Sequence, residues 1–174
     1  MVDLVFSGHA SPIPSMVKAF AGTDIYNEKD LAIIDILILT HDHYDHLDYK
    51  TLLKFNSRIK LIYCSLGGAS HLHYWGFSKD IIQELDWWEN AKITDHIRLI
   101  ATSVRHFSGR TLKYSQTLWS SFVLESKSHR LFLVGDSGYG NHFKEIGERF
   151  VSFDLAIHEC GQYNSKWPLI YTTP

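Results

Sequence analysis

A buried strand that ends in a run of histidines constrains this chain more than any other feature. Residues 31–40 (LAIIDILILT) are mostly apolar without alternation, which is typical of a strand covered by other layers on both faces. The next six residues, 41–46 (HDHYDH), contain three of the 11 histidines of the chain. The sequence therefore predicts a layered domain in which metal-binding or titrating side chains gather at one end of a central strand.

Further strand-like runs extend this pattern along the chain. The run at 118–125 partly alternates between apolar and polar residues, and a short polar stretch separates it from the run at 130–134. These two runs are therefore predicted to pair as a hairpin. All the short runs rich in β-forming residues lie at 58–64, 97–104, 118–125, 130–134 and 154–158.

Three segments have the caps and spacing of helices. Asp48 is a candidate N-cap for a helix over 49–55, whose apolar face holds Leu52, Leu53 and Phe55. A second helix is predicted from Ser78 through Leu85, and a third begins at Asn141, with Phe143, Ile146 and Phe150 at helical spacing. Strands followed by helices and then a hairpin predict a mixed α/β architecture.

Composition narrows the class of protein. With 174 residues, 45% of them hydrophobic, and a formal charge of −2, the chain is expected to form one domain over 1–174. No broad basic field favours nucleic acid, and no apolar run approaches a membrane span. Because the first residues do not resemble a signal peptide, we expect a cytoplasmic protein in which Cys64 and Cys160 are free thiols.

The histidine run has the spacing of a metal site. In an extended chain His41 and His43 point the same way, so both can hold one ion. A turn into the following helix would direct Asp45 and His46 toward a neighbouring position, which gives ligands for two adjacent ions. Imidazole and carboxylate groups with no thiolate nearby favour zinc, manganese or iron. Asp42 and Tyr44 alternate with these ligands and point away from them. Each could either hydrogen-bond to a ligand and support it or only pack against its neighbours, and the sequence favours neither role.

Two further candidates follow other predicted strands. His106 comes after the strand at 97–104, and Asp136 comes after the strand at 130–134. Taken alone, each is more typical of a loop histidine or of a turn-forming aspartate beside glycine. Because ligands gather at the carboxyl ends of strands in layered α/β folds, these two residues and the histidine run together predict one metal site.

Five segments resemble the metallo-β-lactamase superfamily, whose signature is H-x-H-x-D-H followed by a later His and a later Asp. They are similar in particular to the branch that contains N-acyl-phosphatidylethanolamine-hydrolysing phospholipase D and its bacterial relatives. The resemblance covers most of the chain, from about Asp3 to Pro174, and implies an αββα layered sandwich. The segments are ILTHDHYDHLD, RHFSGR, LWSSF, GDSGYGNHFKEIG and FDLAIHECGQYNSKWP.

The resemblance implies a two-metal site, most simply of zinc. The first ion would be held by His41, His43 and His106. The second would be held by Asp45 and His46, which the resemblance also marks as catalytic, and Asp136 would bridge the two ions. A water shared between the ions would have its pKa lowered toward about 7 and would attack the substrate as hydroxide.

Substrate contacts are implied less sharply. Arg110 is a candidate phosphate clamp, because a guanidinium binds two phosphate oxygens at once, and a surface or ion-paired arginine is the alternative. Tyr139, Gln162 and Tyr163 are candidates for the cleft wall, with core packing as the alternative for the tyrosines. Tyr171 stands where the family has an active-site histidine.

The chain also departs from the family pattern. Compared with the family it looks truncated at both ends, so we expect an incomplete sandwich. The family's last metal histidine has no counterpart, which would weaken the second metal site. Missing strands would expose a sheet edge and favour a homo-oligomer.

Three functions remain open on the sequence. The first is a metal-dependent phosphodiesterase or phospholipase D-like hydrolase, acting on a small-molecule or phospholipid-like anionic substrate. The second is a lactonase acting on a small anion. The third is a weakly active or inactive remnant that binds metal or a partner. The aromatic stretch at 71–77 is expected to pack in the core, with an interfacial role as the alternative.

Overall fold

Two sheets, each in its own compact unit, form the scaffold of the protein. The computed structural model describes residues 1–23, 25–110, 113–159, 166–167 and 169–172. The first unit comprises Met1–Glu84 and Ser108–Thr117, and the second comprises Leu85–Phe107 and Leu118–Pro174. The single domain expected from the sequence stays a prediction.

The three-stranded sheet belongs to the first part of the chain. Its strand order is β1–β2–β3, and β1 runs parallel to β2 with Leu37 opposite Ile62. Short turns of 3-10 helix lie at Asn56–Arg58 and Lys79–Ile81. The elements in chain order are β1 (Leu37–Leu39), α1 (Tyr49–Phe55), β2 (Ile62–Ser65), α2 (Ala69–Tyr74) and β3 (Ile82–Leu85).

The core of the first unit forms where the short strands meet both helices. The side chains of Leu37, Leu52, Ile62 and Leu72 are fully excluded from solvent. Burial of these apolar side chains is the main force that holds β1 in place, and with it the start of the loop that follows.

The predicted strand at 31–40 is wrong for its first half. Only Leu37–Leu39 form a strand, whereas Ile33 is 63% exposed. Ile34 is buried and forms a single parallel bridge with Ile59, but the Asp35 carboxylate that follows pairs with Lys60 at 2.6 Å on the surface. This polar position interrupts the apolar run, and the strand begins after it. Burial on both faces holds for β1 itself and for Thr40.

The first predicted helix is confirmed, including its cap. Asp48 Oδ1 accepts a hydrogen bond from the Lys50 amide at 3.1 Å, as an N-cap side chain does. Leu52 and Phe55 are buried as expected, but Leu53, assigned to the same face, is 40% exposed. The cap matters for the site because it fixes where the histidine-rich loop ends.

The five-stranded sheet belongs to the second unit. Its order is β4–β5–β6–β7–β8, with antiparallel pairing from β4 to β7 and parallel pairing between β7 and β8. The predicted hairpin is confirmed as β6–β7, with Glu125 opposite Arg130. The elements are β4 (Asn90–Thr94), β5 (Ile97–Thr102), β6 (Ser121–Ser126), β7 (Arg130–Leu133), α3 (Asn141–Phe150) and β8 (Leu155–Ile157).

The third predicted helix is confirmed as α3, and it covers the hydrophobic core of the second unit. Ile146 is 1% exposed and lies among side chains from three strand regions, while Phe143 and Phe150 pack against them. The buried members of this cluster are Ile100, Val123, Phe132, Val134 and Ile146.

The helix predicted over 78–85 is wrong. Ser78 does cap a turn, since its hydroxyl accepts from the Asp80 amide at 3.3 Å, but the turn is Lys79–Ile81 and β3 follows. Pairing of β3 in the sheet outweighs the local helical signal. The short helix α2 and strand β4 have no counterpart among the predicted elements.

Other expectations concern cysteine and membrane insertion. Cys64 is a buried free thiol, and burial raises the pKa of that thiol above its ordinary value. Cys160 lies outside the described residues. Among the helices of the described ranges, none combines the length and hydropathy of a membrane span.

Candidate metal centre

The loop between β1 and α1 brings three histidines together in the first unit. The loop turns at His43, whose carbonyl accepts hydrogen bonds from the His46 amide at 3.1 Å and the Leu47 amide at 2.8 Å. This turn places the ring of His41 4.5 Å from that of His43 and 4.1 Å from that of His46, measured between centroids. We call His41, His43, Asp45 and His46 the loop cluster.

The ligand atoms of the loop cluster have spacings that suit a divalent ion. His41 Nε2 lies 2.9 Å from His43 Nδ1, and His46 Nε2 lies 3.9 Å from Asp45 Oδ2. Two nitrogens bound to one tetrahedral zinc at 2.0–2.1 Å would be about 3.3 Å apart. The donor set of imidazole and carboxylate therefore fits zinc, manganese or iron in both type and spacing. The Asp45 side chain is 53% exposed and faces solvent.

Asp3 orients the loop cluster through hydrogen bonds to Thr40 and His46. Its carboxylate accepts from the Thr40 amide at 2.9 Å and from the Thr40 hydroxyl at 2.7 Å, and it lies 2.8 Å from His46 Nδ1. Because the Thr40 hydroxyl donates to Asp3, its oxygen is the acceptor for His41 Nδ1, 2.9 Å away. Both histidines thus place a proton on Nδ1, and Nε2 is the ring nitrogen that each turns toward the other ligand atoms.

Sequence reasoning missed Asp3. One signal was present: Asp3 is the single acidic residue among the first 23 residues of the chain. A lone carboxylate in a segment of apolar and small residues needs a polar partner when it is buried.

The second unit holds the other two predicted ligands side by side. Strands β5 and β7 both run antiparallel to β6, so their carboxyl ends share one edge of the sheet. His106 and Asp136 follow these ends, with His106 Nε2 3.7 Å from Asp136 Oδ2 and side-chain exposures of 1% and 10%. We call them the strand-end pair. His106 Nδ1 lies 3.2 Å from the Ile170 carbonyl, a pure acceptor, so Nδ1 carries the proton.

Close backbone packing fixes the turn that carries Asp136. A Cβ added at Gly138 would lie 2.2 Å from the Leu169 carbonyl carbon, so only glycine fits there. The Thr172 hydroxyl donates to the Ser137 carbonyl at 2.7 Å, which ties the same two segments together. The contact also holds the Ile170 carbonyl in place for His106.

The predicted substrate residues lie in different surroundings. Tyr171 lies beside His106, with 6.1 Å between ring centroids. Tyr139 is 71% exposed and stacks on Phe143 at 5.9 Å. Gln162 and Tyr163 lie outside the described residues.

Arg110 lies against the histidine-rich loop in the first unit. One guanidinium nitrogen, Nη1, donates to the Asp42 carbonyl at 3.0 Å and to the Leu47 carbonyl at 2.5 Å. The Tyr44 hydroxyl donates in return to the Arg110 carbonyl. Burial lowers the pKa of the guanidinium, and the neighbouring Tyr44, Asp42 and Asp48 oppose this effect.

Asp42 supports the loop through its side chain. Its carboxylate accepts from the Gly109 amide at 2.7 Å and lies 3.2 Å from His71 Nε2. Burial opposes ionisation of this carboxyl, but the hydrogen bonds from His71 and Gly109 outweigh it, so the pKa of Asp42 lies below its ordinary value. Asp42 therefore contacts Gly109, and Tyr44 contacts Arg110, so both side chains reach the same neighbouring segment.

The aromatic stretch around α2 divides between core and surface. Leu72 and Phe77 are buried in the first core, whereas Tyr74 is 89% exposed. The Trp75 ring is tilted against that of Tyr49, with 5.1 Å between centroids, and its centroid lies 5.0 Å from the guanidinium carbon of Arg110. Core packing accounts for part of this stretch only.

Comparison with known proteins points to one family. Residues 11–173 match the family model described as a beta-lactamase superfamily domain. An uncharacterised protein of Mycobacterium tuberculosis is 38% identical over 145 residues, covering 83% of this chain and 39% of the relative. The N-acyl-phosphatidylethanolamine-hydrolyzing phospholipase D 1 of Caenorhabditis elegans is 30% identical over 183 residues, covering 96% and 50%. This chain therefore spans half or less of the length of these two relatives.

A solved structure supports the same fold. The isothiocyanate hydrolase from Delia radicum gut bacteria aligns with a TM-score of 0.66 and 18% identity, over 99% of this chain and 68% of that one. At this identity the alignment shows a shared fold, and it agrees with the α/β sandwich expected from the sequence.

Proposed function

Because the chain belongs to the metallo-β-lactamase superfamily, we propose that it is a metal-dependent hydrolase of the phosphodiesterase type. Its substrate is a small-molecule or phospholipid-like anion. The relative from Caenorhabditis elegans, which its name describes as hydrolysing N-acyl-phosphatidylethanolamine, supports this substrate class.

One observation carries the proposal. His41, His46 and His106 each engage an oxygen acceptor through Nδ1, and each turns Nε2 toward another ligand atom. Histidines without a common ligand are not expected to share this orientation, with Nδ1 toward an oxygen and Nε2 toward another candidate ligand. Metal-binding histidines commonly have it, since the outer hydrogen bond fixes the tautomer and the ring orientation.

The ligand assignment is part of the proposal. We assign His41, His43 and His106 to one ion, Asp45 and His46 to a second, and Asp136 to both. Zinc is the first choice, with manganese and iron as alternatives that the same donors accept. A bound divalent ion supplies a Lewis acid that lowers the pKa of water and stabilises negative charge on a phosphoryl oxygen.

The chain's own groups orient these ligands and meet the substrate. Asp3 and the Ile170 carbonyl hold His46 and His106 in the tautomer that binds metal. Asp45, exposed to solvent, and His46 are the catalytic candidates. Tyr171 beside His106 and Tyr139 at the surface are candidate substrate contacts. A cytoplasmic location, a homo-oligomer and the lack of a nucleic-acid partner stay predictions from the sequence.

Hydrolysis by stripped and reloaded protein tests the proposal. The chain is freed of metal with a chelator and reloaded with zinc, manganese or ferrous iron, one at a time. We expect reloaded protein to cleave bis(p-nitrophenyl) phosphate or N-acyl-phosphatidylethanolamine in mixed micelles, and stripped protein to cleave neither. Cleavage of a lactone alone would replace the phosphodiesterase by a lactonase. Metal uptake without hydrolysis of either class would contradict enzymatic activity and favour the metal-binding remnant.

A further inference from the structure

We propose that Arg110 is a positioning residue, which sets the geometry of the metal-binding loop by joining the two ends of its turn. This inference rests on the proposed function, since it concerns the same loop cluster. It gives Arg110 a role other than direct contact with a phosphate.

The two carbonyls that Arg110 binds bracket the turn. Asp42 and Leu47 stand immediately before and after His43–His46, and Arg110 Nη1 donates to both of their carbonyls, at 3.0 and 2.5 Å. The carbonyl of His43, at 3.5 Å, lies at the edge of hydrogen-bond distance from the same nitrogen. One nitrogen thus fixes the distance between the ends of a turn whose side chains must converge on an ion.

The backbone around Arg110 is itself fixed by the loop. The Tyr44 hydroxyl donates to the Arg110 carbonyl, and the Gly109 amide donates to the Asp42 carboxylate at 2.7 Å. The guanidinium carbon also lies 4.2 Å from the centroid of the Tyr44 ring. Because the loop and Arg110 bind each other through several groups, their relative position is fixed. A mobile surface arginine does not make such a set of contacts.

Lysine cannot reproduce this arrangement. A guanidinium is planar, stacks on an aromatic ring and directs its donors in fixed directions, whereas an ammonium is a compact charge on a flexible stem. The Arg110 guanidinium lies over the Tyr44 ring, and one of its nitrogens donates to both carbonyls at the same time. A lysine would therefore keep the positive charge but lose the planar group over the Tyr44 ring and the fixed direction of the donors.

Arg58 provides a matched control in the same unit. Its guanidinium donates to the carbonyls of Glu28 at 2.8 Å and Ala32 at 3.1 Å, and it lies 4.4 Å from the Phe55 ring centroid. The substitution Arg58→Lys therefore removes the same kind of contacts without touching the histidine-rich loop.

Metal affinity is the measurement that separates the roles. Zinc affinity is measured by competition with a chromophoric chelator, and folding of the metal-free protein is followed by circular dichroism on heating. Residues that orient metal ligands typically contribute about 10–100-fold in affinity. We expect a loss of this size in Arg110→Lys and less than about a threefold change in Arg58→Lys. Equal losses in both variants, or an unchanged zinc affinity in Arg110→Lys, would overturn the proposal.

Inorganic phosphate tests the competing role as a clamp. We expect zinc-saturated Arg110→Lys to bind inorganic phosphate about as well as the unchanged protein does. Unchanged zinc affinity with phosphate binding weakened by about tenfold or more would establish a substrate clamp instead. The proposed function is tested by hydrolysis in the unchanged protein, whereas the role of Arg110 is tested by the zinc and phosphate affinities of Arg110→Lys. Either proposal can therefore be contradicted while the other stands.

Tyr44→Phe keeps the test decisive if Arg110→Lys does not fold. It removes the hydroxyl that bonds to the Arg110 carbonyl and keeps the ring under the guanidinium. We expect Tyr44→Phe alone to lose zinc affinity, by less than the roughly 10–100-fold expected for loss of the guanidinium contacts. Where both single variants fold, we expect the double variant to lose less than the product of the two single losses. A zinc affinity in Tyr44→Phe equal to that of the unchanged protein would overturn the reciprocal contact.

Discussion

The loop cluster and the strand-end pair reach similar ligand geometry by different routes. The loop cluster comes from one six-residue run, 41–46, which is folded by a turn at His43. The strand-end pair joins His106 and Asp136, far apart in sequence, because β5 and β7 end at the same sheet edge. A contiguous motif is therefore visible in the sequence, whereas a pair made by strand register becomes meaningful only when the sheet is known.

The two sets also differ in what supports them. The loop cluster depends on distant groups, chiefly Asp3 and Arg110, which contact the loop from other parts of the first unit. The strand-end pair is nearly buried and follows the ends of two sheet strands, and the Ile170 carbonyl lies 3.2 Å from His106 Nδ1. Changes to supporting residues should therefore affect the loop cluster more readily than the strand-end pair.

Removal of the first two loop ligands should have the largest effect. We expect His41→Ala with His43→Ala to abolish tight metal binding, because the nitrogens that lie 2.9 Å apart are the core of the loop cluster. Elemental analysis of dialysed protein measures the loss. The matched control replaces the exposed His73 and His129, two imidazoles outside the cluster. Stoichiometric metal in the His41/His43 variant would disprove the assignment.

Neutralising one member of the strand-end pair should have the next largest effect. Asp136→Asn keeps the size of the side chain and removes the negative charge that two ions would share. We expect the number of ions bound at saturating zinc to fall from two to one. Asp154→Asn is the control in the same unit, since its carboxylate accepts from the Arg130 amide at 2.7 Å. Equal uptake by Asp136→Asn and the unchanged chain would refute the bridging role.

Asp3→Asn tests the support beneath the loop cluster. An amide cannot accept the hydrogen bonds from Thr40 and His46 as a carboxylate does, so the tautomer of His46 is no longer fixed. We expect zinc affinity to fall by about 10–100-fold. Asp35→Asn, which loses only a surface ion pair with Lys60, should change affinity little. Similar affinities in both variants would remove Asp3 from the site.

The smallest expected effect concerns the pH dependence of stability in the second unit. Hydrogen bonds from Arg98 and Arg130 lower the pKa of Glu125 below its ordinary value of 4.5. A lowered pKa means that the stabilisation is complete above pH 4.5 and is lost as pH falls through the folded-state value. We expect Glu125→Gln to lower the free energy of unfolding at pH 7 by less than about 1 kcal/mol.

Thermal unfolding at several pH values checks this expectation. The gap between Glu125→Gln and the unchanged chain should close in acid, while Glu148→Gln, at an exposed helical pair with Lys144, should show almost no gap. A gap that persists or widens below pH 4.5 would contradict the sign of the pKa shift.

Elements with local signals were predicted well. Asp48 caps α1, and the spacing of Phe143, Ile146 and Phe150 identifies α3. The failures have long-range causes. Residues 78–85 carry a helical cap and apolar residues, yet β3 forms there because it pairs in the sheet. Sheet pairing depends on neighbours distant in sequence, which local patterns do not contain.

The same limit applies to the candidate site. The run from His41 to His46 was visible because its spacing alone implies shared ligands. Asp3 was missed, and the sequence left Arg110 open between a phosphate clamp and a surface or ion-paired arginine. Their partners are backbone and histidine groups that no spacing reveals. Sequence patterns identify the groups that bind, while the groups that orient them emerge from the fold.

The metal content of the unchanged chain shows directly whether these residues form a metal centre. The protein is purified without added metal, dialysed, and measured by elemental analysis before and after exposure to excess zinc. We expect one tightly held divalent ion per chain and a second ion taken up from excess zinc. A chain that retains no ion and takes up none would contradict the metal centre and the hydrolase built on it.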